Sequence, residues 1–350
     1  MSAPSPFASG FIRPRLDELA QAIAERHFRE HPEVLARYPE AGRQRCREDA
    51  RFHLRYLAIA LDAAAPELFL DYIAWTKVLL GARNVPASDL AGNLRILRET
   101  LGAVGAEGAE AVRYVDLAIE RLPSMPDDVP SLLDPREPFW DVASPYLAAL
   151  LRGSRRDALQ VVEEAMAEGA PLRDIYRHVF EPVQQEIGRL WQTNQLTVAQ
   201  EHFCTAATQH IMTRLYGGVF GGPKREQRAV AMCVGGELHE VGLRIITDLL
   251  ELDGWQTWYL GASVPPAAAV QLCVDRKADV LLISATLPPH LFEVSEVIRL
   301  FRARPELASA QVIVGGRAFR SAPNAWRTIG ADGYATNADD CLALLERLAS

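Results

Sequence analysis

The sequence predicts a multidomain α and α/β protein: an N-terminal all-α, globin-like domain, a four-helix bundle, and a C-terminal parallel sheet of flavodoxin-like order. Three observations predict it. Up to residue 122 the apolar residues recur at helical spacing, and no run alternates with period two. Residues 139–216 hold four further helical stretches joined by short turns, the pattern of antiparallel neighbours in a bundle. From residue 227 onward short apolar runs alternate with helical stretches, as the strands and crossovers of a parallel sheet do. At 350 residues the chain exceeds the roughly 250 to 300 that one core usually holds, so several cores are expected.

In chain order, Pro14 to Phe28 places Leu16, Leu19 and Ile23 on one side of a helix, and Gly42 to Leu61 carries Phe52, Leu54, Leu57, Ile59 and Leu61. Pro66 and Pro86 each open a helix, proline being suited to the first helical position, and Glu107 to Leu122 makes another. The domain of residues 1–122 ends at a stretch, 123–138, with five prolines and several acids, the composition of an extended linker. The bundle, 139–216, consists of Phe139 to Leu151, Ser154 to Glu168, Leu172 to Trp191 and Leu196 to Tyr216, with Ser154 and Thr197 as N-caps. A second linker, 217–226, leads into the α/β domain of 227–350. There the runs at 229–234, 256–260, 279–284, 311–314 and 333–335 are the expected strands.

A net charge of -8 and the lack of a Lys/Arg block argue against direct nucleic-acid binding. The five cysteines are scattered without a C-x-x-C pair, so neither a disulfide framework nor a zinc site is expected. The sequence has neither a leader-like start nor an apolar run of about 18 residues, and a cytoplasmic protein that neither leaves the cell nor spans a membrane is the expectation.

Chemistry concentrates after the first strand. Gly235-Gly236 are followed by Glu237-Leu238-His239 and, three residues later, Gly242. A loop beyond the carboxyl end of the first strand faces the ligand crevice of such a sheet. His239 is thus a candidate metal ligand, and Glu237 can orient it through the other ring nitrogen. Ser284 and Thr286 close a second apolar run and Gly315-Gly316 a third, leaving room at the strand ends for a long nucleotide-like tail. No P-loop and no G-x-G-x-x-G opens the first helix. In the bundle, Trp191 and the pair Glu201-His202 bring one aromatic and two titratable groups near one end. His178, His210 and His290 have no such context and read as structural or surface residues. In the first domain, His53, Tyr72, Trp75, Lys77 and Arg83 combine aromatic surface with cations. The lack of histidines between 54 and 177 speaks against heme, and a linear tetrapyrrole held by such residues is the other candidate.

Together, Glu237-x-His239-x-x-Gly242, Ser284-x-Thr286 and Gly315-Gly316 resemble the Asp-x-His-x-x-Gly, Ser-x-Leu or Ser-x-Thr, Gly-Gly signature of cobalamin-binding domains, over about 228–350. Glu237 stands where many members have Asp. The resemblance implies that His239 ligates cobalt from below and that the benzimidazole tail is buried in the α/β domain. The bundle resembles the helical cap of cobalamin photoreceptors and of methionine synthase-like modules. Its Trp-x9-Glu-His pattern implies that Trp191, Glu201 and His202 cover the upper corrin face, around an adenosyl group. The whole order resembles the photocobilins, in which a heme-less globin-like domain binds biliverdin beside cobalamin. This implies non-covalent biliverdin in residues 1–122.

The expectation is therefore a light-sensing signalling protein that binds adenosylcobalamin and biliverdin and acts on an unidentified effector, as a monomer or a homo-oligomer. The alternatives are a corrinoid protein that carries a methyl group for a cobalamin-dependent methyltransferase, and a light-independent cobalamin sensor.

Overall fold

The computed structural model describes residues 9–32, 40–216, 224–322 and 324–349. Most of the second predicted linker, 217–223, lies outside the described residues. The chain divides into two compact units, Met1–Asp128 with Ser321–Ala325, and Val129–Arg320 with Trp326–Ser350.

Unit 1 is helical: α1 (Leu16–Glu30), α2 (Glu40–Asp62), α3 (Pro66–Gly81), α4 (Ala87–Gly102) and α5 (Ala109–Arg121). Pro66 does open α3, whereas Pro86 stands one residue outside α4 as its N-cap. The apolar positions at helical spacing are the ones that meet: Ile23, Leu54, Leu57, Leu68, Phe69, Ile73, Leu94 and Leu97 are all buried.

Unit 2 begins with α6 (Trp140–Leu151) and α7 (Arg155–Ala167). Ser154 caps α7 by accepting the Asp157 N–H at 3.2 Å. The next stretch was expected as one helix; the structure breaks it into α8 (Leu172–Ile175), a π-helical turn over Tyr176–Phe180, and α9 (Glu181–Gln192). The reason is Pro182, which has no N–H to give and whose ring crowds the carbonyl one turn back, so the ladder widens there. α10 (Val198–Tyr216) follows. Thr197 accepts the Gln200 N–H at 3.3 Å while Gln200 Oε1 accepts the Thr197 N–H at 3.0 Å, a reciprocal capping box just before Glu201.

The sheet has five parallel strands: β1 (Arg228–Cys233), β2 (Gln256–Tyr259), β3 (Val280–Ser284), β4 (Gln311–Gly315) and β5 (Gly333–Ala335), in the order β2-β1-β3-β4-β5. That is the flavodoxin-like order. The crossovers carry α11 (Val241–Leu252), α12 (Pro266–Arg276), α13 (Leu291–Arg302), the short α14 (Ala325–Thr328) and, after β5, α15 (Ala338–Ala349). Register pairs Cys233 with Ser284 and Ser284 with Gly315, so the carboxyl ends of β1, β3 and β4 are level. The order reverses between β1 and β3, and the crevice of such sheets opens there. Among the described residues, no helix is long and apolar enough to cross a membrane.

One hydrophobic core runs from the α6–α10 part into the sheet, joining Tyr146, Val179, Phe180 and Ile211 to Leu249, Leu250, Trp255 and Leu345. Polar contacts cross the same junction. Tyr176 Oη donates to Asp248 at 2.8 Å, and Arg244 donates to the Gln209 carbonyl at 3.3 Å and to Thr213 Oγ1 at 2.8 Å. Burial pushes the Asp248 carboxyl up to about 6, against the lowering effects of Tyr176 and Arg244. Its folded pKa thus lies above that of the unfolded chain, so the folded state binds the extra proton. Stability should fall as pH rises from about 4 to 6 and stay lower above, by about 1–3 kcal/mol for this group. Asp248→Asn should flatten that part of the profile in urea unfolding at pH 5 and pH 7; parallel profiles for parent and variant would refute this.

Candidate cofactor site at the carboxyl ends of the sheet

After β1 the chain turns at Gly235-Gly236, with Gly236 at φ +81° and its N–H given to Ser263 Oγ at 3.1 Å. This turn delivers Glu237 into the fold, where its side chain is fully buried. Its Oε1 accepts His239 Nδ1–H at 2.5 Å and the His239 N–H at 3.0 Å. Its Oε2 accepts the Thr286 N–H at 2.5 Å, the Leu287 N–H at 3.3 Å and His290 Nδ1–H at 3.0 Å. Burial alone would raise this carboxyl, but hydrogen bonds from His239, His290 and Thr286 hold it well below the usual carboxylate range. An ionised carboxylate only accepts, so both imidazoles present Nδ1–H to it. His239 keeps Nε2 as its second nitrogen, on a side chain that is 61% exposed. The hydrogen bond to Glu237 raises its proton affinity against the opposing effect of burial, and Glu201 adds to the rise through its charge. A carboxylate behind an imidazole makes it a better metal ligand by the same electron donation.

On the helical side, Glu201 Oε2 stands 2.5 Å from His202 Nδ1 and Glu201 Oε1 accepts Thr205 Oγ1–H at 3.0 Å. His202 is otherwise open, its side chain 75% exposed. Trp191, half-buried, packs against the shared core near the end of α9. The loop after His239 is fastened by residues that sequence reasoning missed: Glu240 accepts from Gln209 at 2.7 Å and from Tyr259 at 3.0 Å. Gln209 belongs to α10 and Tyr259 to β2, and nothing in their local sequence announces a shared partner.

His290, expected as a structural or surface residue, lies behind Glu237 with a side chain only 14% exposed, brought there by the Pro288-Pro289 turn after β3. Thr286 meets Glu237 through its backbone N–H, while Ser284 and Gly315 sit side by side at the strand ends. At Gly316, φ +100°, a Cβ would lie 2.3 Å from the Ala285 carbonyl oxygen, so only glycine fits. At Gly242, in the first turn of α11, a Cβ would meet nothing within 4 Å, and Leu238 is 73% exposed.

In unit 1, the five residues named for a tetrapyrrole lie on α2, α3 and the turn that follows α3. His53 Nδ1 pairs with Tyr72 Oη at 2.8 Å, and burial lowers His53 to about 4. Tyr56 stacks on Tyr72 at 3.8 Å. Lys77 is buried, donating to the Met125 carbonyl at 2.6 Å and pairing with Asp127 at 2.9 Å, and Arg83 donates to the Leu79 carbonyl at 2.9 Å. Trp75 is half-buried on α3. A cleft of about 420 Å³ elsewhere in the unit is lined by Gln21, Phe28, Arg29, Arg43 and Arg47, among others, and by none of these five.

Two family models, each described as a B12 binding domain, match the chain, one over residues 227–343 and the other over residues 142–216. The sequence is 25% identical over 202 residues to dimethylamine corrinoid protein 3 of Methanosarcina acetivorans, covering 57% of this chain and 93% of that protein. It is 28% identical over 210 residues to the HTH-type transcriptional repressor CarA of Myxococcus xanthus, covering 60% and 67%. In fold it is similar to the monomethylamine corrinoid protein of Methanosarcina barkeri, with a TM-score of 0.53 at 20% identity, covering 60% of this chain and 99% of that one. The chain is thus a cobalamin-binding protein. Its cofactor is a corrinoid, and the matched segments are the α6–α10 region and the parallel-sheet domain.

Proposed function

We propose that the chain holds cobalamin with His239 as the lower axial ligand of cobalt and with Trp191, Glu201 and His202 over the upper face. The observation that carries this reading is the buried Glu237, which engages His239 Nδ1 and leaves Nε2 for a metal. A single imidazole suits a metal that arrives with its other ligands in a macrocycle. Among the described residues no group of three His, Cys, Asp or Glu is disposed to hold a metal ion by itself. Leu238 and Gly242 flank the ligand loop, and Ser284, Thr286, Gly315 and Gly316 border the path of the tail. What the cofactor supplies when bound is a cobalt–carbon bond; the chain orients the lower ligand and shields the upper one. In the full chain, His239→Ala should remove the spectral signature of imidazole-ligated methylcobalamin and weaken binding by about 10- to 100-fold. A variant spectrum identical to the parent's would overturn the assignment.

Two uses of such a site differ in what lies above the cobalt. A carrier that delivers a methyl group to a cobalamin-dependent methyltransferase is supported by the corrinoid-protein relatives, one of them matched over 93% of its length, and this is the broader support. A regulatory protein that binds adenosylcobalamin and responds to light through an effector is supported by the repressor relative and by Trp191 with Glu201-His202. An aromatic face with a nearby acceptor suits a nucleoside better than a methyl group. Adenosylcobalamin should then bind more tightly than methylcobalamin, with the difference shrinking at least threefold in Trp191→Ala. Equal affinities in parent and variant leave the methyl carrier, or a light-independent sensor, as the function. Biliverdin in unit 1 is carried by the photocobilin resemblance alone.

A further inference from the structure

His290 is the least expected member of the site, and its geometry gives it a task. Glu237 has two oxygens, and each is divided between an imidazole and backbone N–H groups: His239 with its own N–H on Oε1, His290 with the Thr286 and Leu287 N–H groups on Oε2. The loop after β1 is thereby tied through one carboxylate to the loop after β3. His290 Nε2 lies 3.4 Å from where a Cβ on Gly236 would stand, so the ring also backs the turn that delivers Glu237.

We propose that His290 is a positioning residue for the cobalt ligand: by donating from Nδ1 to the far oxygen of Glu237 it fixes the carboxylate plane, and so the orientation and donor strength of His239. This rests on the reading of His239 as the axial ligand. An outer partner of this kind is commonly worth about 10- to 100-fold in metal affinity. His290 touches neither cofactor face in this scheme and acts only through Glu237.

The test uses the full chain loaded with methylcobalamin, and the same protein in the cobalt(II) state. His290→Leu removes the donor and retains apolar bulk. His290→Asn places an amide N–H where Nδ1 stands. Both lose ring packing against Gly236, so both should melt somewhat lower than the parent. The Leu variant should lose imidazole ligation in its absorption spectrum, lose the nitrogen splitting of its cobalt(II) resonance, and bind at least about 10-fold more weakly. The Asn variant should keep the ligated spectrum and bind within about threefold of the parent, since the donor is retained. Ligation unchanged in the Leu variant, or lost equally in both, overturns the proposal. If the Leu variant does not fold, the Asn variant still decides: ligation reduced to the level of His239→Ala refutes the positioning role. If His239→Ala itself matches the parent, the axial-ligand reading fails and the role of His290 falls with it, whereas ligation lost in His239→Ala but unchanged in His290→Leu overturns the positioning role alone.

Discussion

Glu237→Ala is expected to destabilise unit 2 by on the order of 3 kcal/mol and to release His239 from its fixed orientation. The side chain is fully buried and accepts from five donors, three of them backbone N–H groups. Removing an acceptor leaves buried donors to bear their full desolvation cost, which exceeds the modest gain that each bond had given. Part of the loss returns if water enters the space vacated by the carboxylate. Glu237→Asp separates the two halves of the arrangement. One methylene shorter, it should still meet His239 through the adjacent loop but pull away from Thr286 and His290, giving intermediate stability with ligation largely kept. Urea unfolding and the methylcobalamin spectrum are the readouts; an Ala variant as stable as the parent would show that the carboxylate does not organise the loops.

Gly316→Ala should be nearly as damaging for a different reason. Its backbone, φ +100° and ψ 168°, is open essentially to glycine alone, and the added methyl would sit 2.3 Å from a carbonyl oxygen of the neighbouring strand end. Backbone cannot step aside as a side chain can, so β4 and the segment after β3 must separate. A loss of at least about 2 kcal/mol is expected, along with weakened cobalamin binding. Gly242→Ala is the contrast, because nothing lies within 4 Å of its new methyl. It should leave the unfolding curve within about 0.5 kcal/mol of the parent and act, if at all, on cofactor affinity. Equal destabilisation by the two substitutions would contradict this account.

The strands, their order and the loop carrying Glu237 and His239 were legible because each depends on local pattern: apolar runs, glycine turns, and a polar triplet at a strand end. Thr197 was legible as a cap for the same reason. What escaped depends on distant partners. His290 lies 53 residues from Glu237, and no spacing rule relates them. Gln209, Glu240 and Tyr259 come from a helix, a loop and a strand. In unit 1 the residue types suggested a linear tetrapyrrole, yet composition does not say which of them pair with one another; His53 and Tyr72, on different helices, do so at 2.8 Å. Pro182 was visible from the start; its effect was not, because a proline inside a helical pattern can end, kink or widen the helix.

That widened turn at Tyr176–Phe180 also acts as a phase shifter. An α-helix advances about 100° per residue, and a π turn admits one residue beyond the α count, so every side chain downstream is rotated by about that angle relative to those upstream. Tyr176, bonded to Asp248, lies at its start, and Gln184, Glu186 and Trp191 lie beyond it. The face that grips the sheet domain and the face that carries Trp191 therefore keep their relative azimuth through a single extra residue. Shortening the turn by one would leave composition and helix content almost unchanged while turning Trp191 to a different side of the axis.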